Sequence, residues 1–284
     1  MYIKFDKVSH DYNEKTPLEK RVLYEVDFEI KKGSFNAIIG HTGSGKSTLM
    51  QHLNALLLPS TGKVITPGGE IVAKEKLKGK KIKEIRQKVG LVFQFPEYQL
   101  FETTVLKDIM FGPKNYALTN EEAEVLARDA AMIVGLDESV LEKSPFELSG
   151  GQKRRVAIAG VLAMNPDVVV LDEPTAGLDP RGRKEILDIF SNLQKEGKTI
   201  IVATHDMDLV AEYANFVIVM CEGRKLTEGS PKEIFSKLEL IKKAGVYLPI
   251  AADVYSKIYD DELPLNSDDF IKKVISNKNQ SSNK

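Results

Sequence analysis

The residues best suited to chemistry begin at Gly40. The run Gly40-His41-Thr42-Gly43-Ser44-Gly45-Lys46-Ser47 carries the pattern G-x-x-x-x-G-K-[ST]. Its glycines let backbone N–H groups converge on a phosphate at a helix N-terminus, Lys46 adds a positive charge for the β/γ oxygens, and Ser47 offers a hydroxyl to Mg²⁺. His41 fills an unconstrained position, and the expected ATP-binding set runs from Gly40 through Thr48. A second group closes an apolar run: Val168-Val169-Val170-Leu171 leads into Asp172 and Glu173. At the end of a strand beside the phosphate loop, Asp172 can hold Mg²⁺ while Glu173 polarises a water aimed at the γ-phosphate. A third group, Leu148-Ser149-Gly150-Gly151-Gln152, places a serine where a helix N-cap belongs and two glycines that leave N–H groups bare. That is a second anion site, although one γ-phosphate needs only one.

These groups require particular elements to position them. Residues 2–8 and 22–30 alternate apolar and polar side chains, as half-buried antiparallel strands do. Residues 34–39 read as a buried strand feeding the glycine-rich turn, and 46–58 continue with helical periodicity up to Pro59. Helices over 105–112, 120–134 and 150–163 form a helical subdomain spanning about 95–165. Then β/α alternation resumes: strands over 168–171, 199–203 and 216–220, with an amphipathic helix over 181–195. Strands apolar on both faces imply a parallel sheet covered by helices. The expected fold is α/β: a P-loop NTPase core with an antiparallel β subdomain, a helical subdomain and a small helical C-terminal extension. The boundaries are 1–230 for the nucleotide-binding domain, 231–276 for an extension broken by Pro231, Pro249 and Pro264, and 277–284 for a polar tail expected to be disordered.

Composition narrows the partners. With 40 Lys+Arg against 41 Asp+Glu the net charge is −1, so no global field draws the chain to nucleic acid or anionic lipid. Residues 74–88 hold eight Lys/Arg against two Glu, but no aromatic residue interleaves for base stacking, and the segment reads as a solvated hairpin or insertion. The single cysteine, Cys221, lies in an apolar run and reads as a small buried hydrophobe. No stretch approaches the roughly 18 consecutive apolar residues of a membrane span.

The string from Leu148 to Gln152 resembles the signature motif of the ABC ATPases, and the Asp172-Glu173 strand resembles their Walker B motif. The resemblance covers roughly residues 2–230, with the motifs in family order. It implies a head-to-tail dimer in which each ATP lies between the phosphate loop of one subunit and Ser149, Gly150, Gly151 and Gln152 of the other. It further implies that Gln94 reaches Mg²⁺ and the attacking water, that Asp179 lies at the dimer interface, that His205 contacts the γ-phosphate, and that Tyr12 stacks on adenine. Glu173, His205, Gln94 and Lys46 are then the catalytic set, with Ser47, Gln94 and Asp172 around the metal. Residues 93–101 and 154–160 look like the energy-coupling factor (ECF) transporter ATPases, which are related to cobalt and nickel importer ATPases, and the loop after Gln94 resembles the second of two paralogues. That implies a second, paralogous ATPase, a shared transmembrane coupling protein, and separate substrate-binding membrane proteins for vitamins or metal ions. The chain would then sit peripherally on the cytoplasmic face of the membrane and bind no nucleic acid, with its C-terminal extension serving dimerisation. A soluble ABC ATPase acting on ribosomes or DNA is the competing class; its members carry two cassettes or a long coiled coil, and this chain has neither. Phe95, Pro96, Tyr98, Leu100 and Phe101 suggest a docking surface for the membrane protein, with Glu97 free to pair with an arginine on it; packing into the helical subdomain is the alternative.

Overall fold

The computed structural model describes residues 2–75, 77–116, 118–259 and 261–282. Two sheets organise it. β1 (Ile3–Tyr12) and β2 (Lys20–Ile30) pair antiparallel, and β4 (Thr61–Thr66) with β5 (Gly69–Val72) extends them in the order β2-β1-β4-β5. The second sheet contains β3 (Phe35–Ile39), β6 (Val89–Val92), β7 (Val168–Asp172), β8 (Thr199–Ala203), β9 (Phe216–Cys221) and β10 (Arg224–Gly229). Its order is β10-β9-β3-β8-β7-β6, parallel except for the edge strand β10.

The uninterrupted apolar runs explain the layers. On β7, Val169 and Leu171 face one core while Val168 and Val170 face another; on β8, Ile200 and Val202 divide from Ile201 and Ala203 in the same way. A period of two with both sets apolar demands cover on both faces. One core, shared with α1 (Lys46–Leu53), lies between the two sheets. The other carries α6 (Pro180–Lys195) and the helical subdomain of α3 (Val105–Lys114), α4 (Asn120–Ile133) and α5 (Gly150–Leu162). Side-chain caps start these helices: Thr104 for α3, and reciprocal boxes of Thr119 with Glu122 and Ser149 with Gln152 for α4 and α5.

Several elements depart from the sequence reading. The basic segment is no hairpin: α2 (Gly79–Lys88) is a helix whose Ile85 is fully buried, while Lys76 lies outside the described residues. The first helix stops at Leu53, because Asn54 caps it and Ala55 adopts a left-handed φ of 55°. Cys221 is partly exposed rather than buried, with its thiol 3.6 Å from the Lys243 carbonyl. A short α7 (Met207–Tyr213) follows β8. The extension comprises α8 (Pro231–Phe235), α9 (Leu238–Lys243), α10 (Ile250–Ser256) and α11 (Ser267–Ser282). Helix α11 therefore continues through most of the tail expected to be disordered, with Asn277 donating to the hydroxyl of the fully buried Tyr255 at 2.9 Å; residues 283–284 lie outside the described residues.

Candidate functional site

Four parallel strands stand side by side in the order β3, β8, β7, β6. The phosphate loop follows β3, His205 follows β8, Asp172 ends β7 with Glu173 next to it, and Gln94 follows β6. These groups line one cleft of about 320 Å³, at the carboxyl edge of the sheet where open α/β folds take their ligands.

The loop is held from behind. A Cβ on Gly40, at φ +151°, would lie 2.2 Å from the Met220 carbonyl oxygen of β9, so the loop backs directly onto the sheet. Gly43, at φ +82°, meets nothing within 4 Å and leaves its backbone open toward the cleft it lines. Ser44 is fully buried, and its Oγ has no hydrogen-bond partner. Lys46 Nζ donates to the carbonyls of Gly40 at 2.6 Å and His41 at 3.0 Å. Burial pushes the Lys46 ammonium below its ordinary range against the opposing pull of Glu173 and Asp172. Burial likewise pushes the Asp172 carboxyl up, against its hydrogen bond with Ser47 and the charge of Lys46. Open loop backbone and a desolvated ammonium suit a polyphosphate, while the Ser44 hydroxyl lies behind the loop, outside the cleft lining. The oxygens of Ser47, Asp172 and Gln94 on one cleft are the hard donor set that Mg²⁺ takes.

Glu173 is held on three sides of its backbone and side chain. Its φ is +49°, uncommon outside glycine; its N–H donates to the Ala203 carbonyl at 2.9 Å; and its carboxylate accepts from His205 Nδ1 at 2.8 Å. That bond places the imidazole proton on Nδ1 and fixes the carboxylate's direction.

The remaining expected site residues lie outside this cleft. Tyr12 reaches it through its hydroxyl, 3.2 Å from Thr48 Oγ1. Asp179 N-caps α6, accepting from the Gly182 N–H at 2.6 Å. Ser149, Gly150 and Gly151 are exposed at the start of α5, and a Cβ on either glycine would meet nothing within 4 Å. The chain thus presents two glycine-rich helix starts, one lining the cleft and one exposed on the surface.

One residue escaped sequence reasoning as a structural hub. Arg154 of α5 is 3% exposed; it donates to both Glu97 oxygens at 3.0 and 2.8 Å and to the carbonyl of Ala176 at 2.7 Å. It ties the Ser149 helix to the loop after Gln94 and to the loop after Glu173. No local pattern announces this, since Glu97 is 57 positions away. Glu97 is therefore not free for a partner's arginine: burial pushes its carboxyl up, but the bonds and charge of Arg154 outweigh this and hold it below the usual range. The loop divides between the two readings made of it. Pro96 and Leu100 are buried, while Tyr98 is 84% and Phe101 56% exposed.

Fold and site together define a P-loop ATPase with a second, outward-facing glycine-rich loop. The ABC transporter family model matches residues 23–176. The energy-coupling factor transporter ATP-binding protein EcfA2 of Enterococcus faecalis is 51% identical over 281 residues, covering 97% of this chain and 96% of the relative. The protein of the same name from Streptococcus pyogenes is 52% identical over 267 residues, covering 94% and 95%. Among solved structures, cbiO1 from Clostridium perfringens, part of the ABC transporter complex cbiONQ, is 42% identical with a TM-score of 0.72, covering 85% of this chain and 93% of that one. A dimeric, post-hydrolysis ATP-binding cassette, MJ0796, bound to ADP and phosphate, is 30% identical with a TM-score of 0.71, covering 81% and 98%. The chain belongs to the ABC transporter family, among its energy-coupling factor transporter ATP-binding proteins, and is an ATPase whose hydrolysis is coupled to transport.

Proposed function

We propose that this chain forms one half of a head-to-tail pair of ATP-binding cassettes, with a paralogue as its partner, on the cytoplasmic face of a membrane. The pair energises uptake of vitamins or metal ions through a transmembrane coupling protein that in turn engages substrate-binding membrane proteins. The observation that carries the reading is the separation of the two anion sites: the cleft gathers Lys46, Asp172, Glu173 and His205, whereas Ser149 and its glycines face outward from another helix. Relatives named for an energy-coupling factor transporter, and a solved neighbour that is part of an ABC transporter complex, support the partners. Exposed Tyr98 and Phe101 give the coupling protein an aromatic anchor beside Gln94.

Within the cleft, the phosphate-loop amides and Lys46 bind the β/γ oxygens of ATP. Ser47, Gln94 and Asp172 would hold Mg²⁺, which when bound neutralises phosphate charge as it develops. Glu173 accepts the proton of the attacking water, with His205 fixing its orientation and lying close to the γ-phosphate. Tyr12 stacks on the base. Ser149, Gly150 and Gly151 meet the γ-phosphate held by the partner cassette, and Asp179 lies at the same interface. Nucleotide then bridges the two subunits, and loss of the γ-phosphate releases them.

The test compares two substitutions. Lys46→Ala should abolish tight ATP binding, because it removes a ground-state charge contact. Glu173→Gln should keep binding while turnover falls about 10²–10⁴-fold, since the carboxylate acts only as water attacks. Turnover of Glu173→Gln close to that of the parent would remove Glu173 as the base.

A further inference from the structure

Behind Tyr12 lies a closed circuit of contacts that ATP hydrolysis itself does not use. His10 of β1 and His52 of α1 are both buried, and their rings meet edge to face with centroids 4.8 Å apart at 81°. His10 also meets the Tyr12 ring edge to face, at 4.6 Å and 88°. The Tyr12 hydroxyl bonds Thr48 Oγ1 at 3.2 Å, and the Thr48 carbonyl accepts from His52 Nδ1 at 2.7 Å. Tyr12, His10, His52 and Thr48 therefore form a ring that joins the end of β1 to the first turn of the phosphate-loop helix.

The imidazoles are flat spacers in this ring. Each Nδ1 faces a backbone carbonyl, His10 that of Leu58 at 3.1 Å and His52 that of Thr48, so each ring carries its proton there. Their Nε2 atoms are buried acceptors without a hydrogen bond. Two leucines would fill this space with no unmet acceptor, which would otherwise cost stability. What the imidazoles add is a directed donor to α1 at one end and a flat edge against Tyr12 at the other.

We propose that the His10–His52 pair positions Tyr12 for the nucleotide base, locking the height of its ring to the phosphate-loop helix so that base and triphosphate are recognised by one rigid unit. This rests on the reading of Tyr12 as the residue that stacks on the base. His10 and His52 are positioning residues, and their loss weakens nucleotide affinity without altering the hydrolytic step.

The experiment is a double-mutant cycle on the full chain, with ATP dissociation constants measured calorimetrically for the parent, His52→Leu, Tyr12→Ala and the double variant. Tyr12→Ala weakens ATP by about three- to tenfold, the worth of one aromatic stacking contact. His52→Leu weakens it comparably, the double variant binds no worse than Tyr12→Ala alone, and kcat of His52→Leu at saturating ATP stays within about twofold of the parent. If Tyr12→Ala weakens binding and His52→Leu does not, or if the two effects add, the positioning role is overturned while stacking stands. If Tyr12→Ala binds ATP like the parent, the stacking reading falls, and the positioning role with it. Should His52→Leu fail to fold, His52→Asn, which keeps a donor for the Thr48 carbonyl but loses the ring edge, is carried through the same cycle with the same outcomes deciding.

Discussion

The two glycine-rich loops of this chain both open helices and are built in opposite ways. The loop from Gly40 to Ser47 is backed by β9, has a fully buried serine, and opens a helix that is packed between two sheets. The loop from Ser149 to Gln152 is exposed, and its cap bonds are internal, Ser149 Oγ accepting from Gln152 N–H at 3.3 Å and Gln152 Oε1 accepting from Ser149 N–H at 3.1 Å. One loop is braced by its own chain, while the other offers its amides outward, with Arg154 and Arg155 tying its helix to neighbouring elements behind it. On the proposed pairing, the first loop grips the chain's own phosphates and the second meets a phosphate brought by the partner cassette.

The largest effect should come from cutting the buried Arg154 brace. Arg154→Met leaves Glu97 half-enclosed without its partner and the Ala176 carbonyl without a donor, and the loss in chemical denaturation should be about 3–5 kcal/mol. Adding Glu97→Gln should recover part of it. A loss below about 1 kcal/mol would mean the signature helix is held by its apolar face instead.

A somewhat smaller effect belongs to the braced side and depends on pH. Burial pushes His52 from its ordinary 6.5 down to about 4, with the neighbouring His10 acting in the same direction. An unfolded chain takes up a proton near 6.5 that the folded chain refuses until about 4. Stability is therefore full above that window and declines as pH falls through it, by roughly 3 kcal/mol in all. Across this range the parent should lose more stability than His52→Leu as pH falls, so that their denaturation midpoints separate; parallel curves would contradict the burial argument.

Two glycine substitutions sharpen the contrast further. Gly40→Ala forces a side chain against the Met220 carbonyl and should cost about 1–3 kcal/mol. Gly151→Ala has open space inside a helix and should stabilise the chain by up to about 1 kcal/mol while still lowering the activity of the paired cassettes. Equal melting shifts for the two would erase the distinction between a braced and a free loop.

Much of this was legible in the sequence wherever local pattern decides structure. Apolar runs without polar interruption announce β7 and β8, and the phosphate loop is recognisable from its spacing between strand and helix. Ser149 three residues before Gln152 announces a cap. What stayed hidden depends on distant partners or on masked periodicity. In α2 only Ile85 is fully buried, so lysines conceal the helical period that a longer apolar stripe would reveal. The β4–β5 hairpin is short, and its strands carry few apolar residues. Glu97 looked free because Arg154 is 57 residues on, and His10 met His52 only once β1 and α1 were packed together.

Whether the two loops serve one nucleotide in the same chain or two nucleotides in a pair is tested most directly by the ATP affinity of the full chain carrying Ser149→Glu, measured in the absence of a second cassette. A carboxylate at that cap should leave the dissociation constant within about twofold of the parent while eliminating ATP-dependent pairing, since the phosphate it repels belongs to the partner. A loss of affinity as large as that of Lys46→Ala would show that both loops grip the chain's own ATP, and the paired site would be wrong.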